Sequence, residues 1–138
     1  MSDTIARHDP AALLDAFDGR MRFVQGDNVR VLTQTLRDDE QVRVLASASD
    51  TPLRAGALCL TNERLLFVRH RIIAKSIVIS LPISQIEGVD VEERPLSGVL
   101  IIASAGSAYK FEITPKMKAW AVMWPIKAAL ALASEAGR

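Results

Sequence analysis

One cysteine, two histidines and a cluster of basic residues are the side chains in this 138-residue sequence that could do chemistry. A metal ion needs three or four converging ligands. Neither His8 nor His70 has a ligand-spaced partner, and no His/Cys/Asp/Glu cluster supplies the rest. Cys59 stands in an aliphatic run without the electropositive setting that makes a thiolate, so it is read as a small buried hydrophobe. Ser47, Ser49, Ser80 and Ser104 fall on or near strands and lack a nucleophile-elbow signature. The glycines form no loop that would cradle a phosphate. The sequence therefore predicts no catalytic residue, no cofactor and no metal. Arg69, His70, Arg71 and Lys75 make the densest basic segment, in a turn between two strands. Such a turn can hold an anionic lipid head group or an acidic peptide, or it can serve only to keep an exposed turn soluble. At about 1 kcal/mol per cation near an anionic surface, its three formal charges give roughly 3 kcal/mol, weaker than a millimolar constant. Charge alone would give weak membrane contact.

The bulk composition narrows the partners. Seventeen basic and sixteen acidic side chains leave a net charge of +1, too balanced for wholesale nucleic-acid binding. Apolar residues make up 49% of the chain and aromatics 5%, so the core must be aliphatic. The length suits one domain. A single cysteine excludes an internal disulfide and suits a reducing compartment. The first eight residues hold no apolar stretch of signal-peptide length. The longest apolar run, 119–133, is shorter than the roughly 20 residues of a bilayer span and is interrupted by Pro125 and Lys127. The expectation is a cytoplasmic protein.

The elements that would position these groups are readable from periodicity. Asp9-Pro10 is a helix opening, with a capping side chain followed by proline at the first helical position. Leu13, Leu14, Phe17, Met21 and Val24 follow at spacings near 3.6, which predicts an amphipathic helix over 10–24 ended by Gly26. Asp27 then caps a second short helix bearing Val29, Leu32 and Leu36. From Val42 the period changes to two. Strands are expected from residue 42, then at 55–61, 64–70, 75–81, 86–92, 98–104 and 108–113, with turn residues between them. Asn62-Glu63 is the tightest of these turns, because asparagine tolerates positive φ. Thr114-Pro115 opens a last helix reaching about Ser134, with Pro125 expected to kink or divide it near Ala121.

The strand wording carries a resemblance. Gly56-Ala57-Leu58-Cys59-Leu60-Thr61-Asn62-Glu63-Arg64-Leu65-Leu66-Phe67-Val68, the polar run with Glu40 before it, and Leu81-Pro82-Ile83-Ser84-Gln85-Ile86 after it resemble bacterial PH-like domains of the YokE type. The likeness covers roughly residues 28–134. It implies an α+β fold: a PH-like, seven-stranded antiparallel roll or barrel capped by a C-terminal helix, here with two short N-terminal helices. Residues 1–26 would be a helical extension and 27–138 the PH-like domain. It also implies a binding or assembly module. Phosphoinositide-binding PH domains gather cations around the loop between strands one and two, where this chain offers only Arg54 beside Asp50.

Two apolar surfaces complete the reading. Trp120 and Trp124, one helical turn apart, are expected to plug one end of the roll. Leu13, Leu14, Phe17, Met21 and Val24, together with Ile126 and Leu130, make more apolar surface than one roll needs. They are read as an interface with a second copy or a protein partner. A non-catalytic module that self-associates or docks a protein is thus the first expectation. A membrane-peripheral module using Arg69–Lys75 is the alternative.

Overall fold

The computed structural model describes residues 9–17, 19–52 and 54–136, with residues 19–23 and 136 described by backbone alone. Strand β2 (Arg54–Thr61) turns at Asn62-Glu63 into β3 (Arg64–Arg69) where the sequence predicts, although neither turn residue takes the positive φ expected there. Both strands are buried almost end to end. Alternating side chains of a strand point to opposite faces, so burial of the whole run requires cover on both sides. The inner face, with Leu58, Leu60, Leu65 and Phe67, looks into the main core. The outer face, with Ala57, Cys59, Leu66 and Val68, lies beneath the N-terminal helices. Gly56 leaves no room for a side chain. A Cβ there would stand 2.4 Å from the Phe67 ring and 2.6 Å from the Val68 carbonyl oxygen.

The remaining strands are β1 (Val42–Thr51), β4 (Ile77–Pro82), β5 (Ile86–Glu93), β6 (Gly98–Ser104) and β7 (Ser107–Ile113). They form one antiparallel sheet in the order β4-β3-β2-β1-β7-β6-β5. The two edge strands do not pair with each other, so the molecule is an open roll rather than a closed barrel. Its weakest seam is internal: the ladder between β1 and β7 pairs only Ser49 with Glu112.

Helix α3 (Lys116–Ala136) lies across the concave side, with Ala119, Val122, Met123 and Ile126 inside the main core. It starts one residue after Thr114-Pro115, whose peptide bond is cis. The helix does not divide at Pro125. Proline there removes the hydrogen bond to the Ala121 carbonyl, and Ala121 is exposed, so water can take that acceptor.

The N-terminal helices differ from expectation. Helix α1 (Pro10–Asp15) is capped by the Asp9 side chain, as predicted, but is only six residues long. Helix α2 (Gly19–Thr35) is long, and it runs straight through Gly26. A mid-helix glycine costs about 1 kcal/mol, and tertiary hydrogen bonds on either side of it offset that cost. Gln25 Nε2 donates to the Gly56 carbonyl at 2.9 Å and to Ser47 Oγ at 3.1 Å. Asn28 Nδ2 donates to the Ala55 carbonyl at 3.1 Å and to Gln25 Oε1 at 3.0 Å. Both side chains are buried.

Candidate functional site

Two polar constellations stand at opposite ends of β3. The first is centred on a buried ion pair. Arg64 Nε and Nη2 donate to the two Glu40 carboxylate oxygens at 2.8 and 2.9 Å. Nη2 also donates to the Thr35 carbonyl at the end of α2, and Nη1 to Ser80 Oγ on β4. Thr61 Oγ1 donates to Glu40 at 2.6 Å and accepts from the Glu63 and Arg64 backbone N–H groups. The Arg37 N–H donates to the other carboxylate oxygen. Burial pushes the Glu40 carboxyl up. Hydrogen bonds from Arg64, Thr61 and the Arg37 backbone, with the Arg64 charge, outweigh that and hold it at about 2. The ion pair is saturated by protein partners, which makes it a pin joining α2, β2, β3 and β4. It is structural.

Cys59 is close enough to this pin to feel its charges. Burial, and then the Glu40 carboxylate, push its thiol up to about 12, against a smaller pull from Arg64. At neutral pH it holds its proton and cannot act as a nucleophile. Among the described residues no group of three His, Cys, Asp or Glu side chains converges to hold a metal ion.

The second constellation is the loop from β3 to β4, and here the structure divides the predicted basic site. Arg69 is not available: its guanidinium pairs with Asp50 at 2.9 and 3.3 Å, with both side chains largely buried. His70 is half-buried, and its backbone N–H donates to Asn28 Oδ1 at 2.7 Å. Arg71 and Lys75 are exposed. Between them lies a feature that charge counting overlooked. Ile72 is 94% and Ile73 98% exposed, followed by exposed Ala74. The root of the loop is therefore clamped by α2 and β1, while its tip offers two bare isoleucines between two cations. Because β2 pairs with β3, the β1–β2 turn lies at the same end of the sheet and adds exposed Arg54.

The predicted interface residues are dispersed. Leu13 and Phe17 are buried against the outer face of β2 and β3, with Leu14 packed beside them. Ile126 lies in the main core and Leu130 packs against it. The chain covers these side chains itself, so the surplus surface they were expected to supply is absent. Val24 is half exposed, and the Met21 side chain lies outside the described residues. The tryptophan plug also needs correction. Trp120 packs partly on the core and donates from Nε1 to Glu93 at 2.9 Å. Trp124 is 60% exposed, with Lys127 Nζ 5.5 Å from its ring centroid. The inward face of α3 is the one carrying Val122, Met123 and Ile126, and Trp124 points the other way.

Where β1 leaves β7, an apolar groove of about 650 Å³ opens, walled by Val44, Ala46, Ala48, Ala121 and Val122 with Glu112 and Lys118 nearby. Its described lining holds no histidine or cysteine, and Glu112 is its one carboxylate.

The roll of seven strands closed by a C-terminal helix finds its match at family level. The bacterial PH domain model fits residues 36–127, about two thirds of the sequence. The chain belongs to the bacterial PH domain family. The match is at the level of that family. Domains of this family are in general non-catalytic binding modules. Two solved structures share the fold. One is a DUF1696 family protein with a pleckstrin-homology domain from Shewanella loihica PV-4, 17% identical, TM-score 0.50, covering 75% of this chain and 94% of that one. The other is a pleckstrin homology domain from Shewanella amazonensis SB2B, 16% identical, TM-score 0.52, covering 76% of this chain and 86% of that one. No curated protein matches. The family match begins at residue 36, so α1 and all of α2 precede it.

Proposed function

We propose that this PH domain is a non-catalytic, membrane-peripheral module that attaches to anionic lipid surfaces through the tip of its β3–β4 loop. The observation that supports this reading is the bare Ile72-Ile73 pair set between Arg71 and Lys75 on a root held by Asp50 and Asn28. Water-exposed isoleucines are unfavourable unless something apolar receives them, and flanking cations suit an anionic head-group layer.

Magnitudes favour this over charge alone. Two cations contribute about 2 kcal/mol near an anionic surface. Burying two isoleucine side chains adds about 1.5–3 kcal/mol each. The sum, about 5–8 kcal/mol, lies between a millimolar and a micromolar constant. The reading takes the chain to be cytoplasmic, since anionic lipid faces that side and Cys59 is a free thiol.

Sedimentation with vesicles tests it. Vesicles containing phosphatidylserine should bring the protein down, and neutral vesicles should do so far less. Arg71→Ala with Lys75→Ala should weaken binding and flatten its salt dependence. Equal binding to neutral and anionic vesicles, or none at millimolar lipid, would contradict the reading. Docking of a second copy is the other reading, and the outer face of α3 favours it.

A further inference from the structure

Helix α3 turns a second apolar stripe away from its own core. Met117 is 78%, Trp124 60% and Leu132 67% exposed, and Ala121 and Ala128, both exposed, fall between them. The spacing 117, 121, 124, 128, 132 keeps one face of a helix, as in a helix–helix seam. Apart from Lys127 over the Trp124 ring, the stripe faces water.

The stripe has an internal symmetry that says what fits it. Counted outward from the Trp124–Pro125 bond, large Met117 mirrors large Leu132, and small Ala121 mirrors small Ala128. A second α3 laid antiparallel about that point sets Met117 of one helix against Leu132 of the other, with the two Trp124 side chains on either side of the axis. The alanines meet alanines and let the backbones approach closely. An arrangement in which residue i meets j and j meets i is what a two-fold interface requires. Charge agrees with the direction. The antiparallel pairing brings Lys116, at the positive end of one helix dipole, within a turn of Glu135 at the negative end of the other.

We infer that α3 is a homodimerisation surface, in which Met117 packs on the partner's Leu132, Ala121 on the partner's Ala128, and the two Trp124 side chains stack near the axis. A tryptophan buries about 150–250 Å², and methionine and leucine fall towards or below the lower figure. At the exposures seen, the three leave roughly 300 Å² per chain. The alanines and the stems of Lys116 and Lys127 bring two copies towards the lower limit of specific interfaces, about 1,000 Å². The dimer is accordingly weak and concentration-dependent.

Sedimentation velocity of the full chain, without lipid, between about 1 and 200 µM (a practical range set by the micromolar scale of weak association) reads this directly. The mass should rise from one chain to two across that range. Trp124→Glu should leave a monomer with unchanged thermal unfolding, because the side chain faces water. Met117→Lys alone, or Leu132→Glu alone, should weaken the dimer at least about tenfold, near 1.4 kcal/mol. Both together in one chain should recover most of that loss, since each new side chain then meets its opposite across the interface. A monomer at 200 µM overturns the inference and leaves the stripe to another protein. A dimer indifferent to Trp124→Glu, or a double variant no better than the singles, overturns it too. None of these outcomes depends on whether the β3–β4 loop binds lipid.

Discussion

The two ends of strand β3 use the same residue types for opposite purposes. At its start, Arg64 is buried and its guanidinium is held by Glu40, Thr35 and Ser80. Beyond its end, Arg71 and Lys75 stand in solvent around two isoleucines that touch water over nearly all their surface. One end spends its charge on joining elements, and the other keeps it for a surface outside the molecule. Arginine in a sequence motif is therefore no sign of a ligand site until its partners are known. Arg69, two residues before Arg71, belongs to the first kind because Asp50 neutralises it.

The contrast breaks most readily at the buried end. Arg64→Ala leaves Glu40 charged and buried without its partner, which typically costs about 3–5 kcal/mol, a large part of a total near 5–15. Urea unfolding should show that loss, and a change below about 1 kcal/mol would mean the pin is decorative. The same end should show in acid. Glu40 in the folded state sits near 2, below its ordinary 4.5, so its contribution is whole above about pH 4.5 and is lost as pH falls towards 2. The difference corresponds to on the order of 3 kcal/mol. Glu40→Gln, less stable throughout, should show a flatter stability curve across that window.

An intermediate effect belongs to the clamp between the two ends. Asn28→Ala removes the acceptor of the His70 N–H and a donor to the Ala55 carbonyl, for about 1–3 kcal/mol. Hydrogen exchange at the His70 amide should quicken more than exchange at Leu66, deep in β3. Uniform quickening would mean that α2 does not fix the loop root. The smallest effect on folding is expected at the free tip. Ile72→Ser with Ile73→Ser should change stability by no more than about 0.5 kcal/mol while removing most vesicle binding.

Much of the fold was legible because strand wording is local. All seven strands, the Asn62-Glu63 turn, the Asp9 cap and the closing helix follow from period, caps and turn residues. The helix boundaries near Gly26 did not, because they are set by Gln25 and Asn28 reaching β1 and β2, contacts between residues 22 and 31 positions apart. The destination of the N-terminal stripe was written in β2 and β3. A run such as Ala57-Leu58-Cys59-Leu60 has no polar face, so its strand had to be covered on both sides, and Leu13 and Phe17 are part of that cover. Aromatic size is no sign of burial in α3, where the helical phase of Val122, Met123 and Ile126 defines the inward face and leaves Trp124 outside it. At the loop, the basic residues were visible in the sequence but the isoleucines between them were not weighed. An apolar doublet inside a charged turn, with no alternation to bury it, was the available signal.

The central claim is that the β3–β4 tip enters a lipid surface, and a probe placed on it tests that most directly. Cys59 is buried and its thiol is held near 12, so a thiol-reactive, polarity-sensitive fluorophore will label Ile73→Cys selectively. On addition of phosphatidylserine vesicles its emission should shift to the blue, and the shift should be small with neutral vesicles. The same dye at Asp38→Cys, on the exposed turn before β1 at the other end of the sheet, should not respond. An unchanged spectrum at position 73 with vesicle-bound protein would contradict the account.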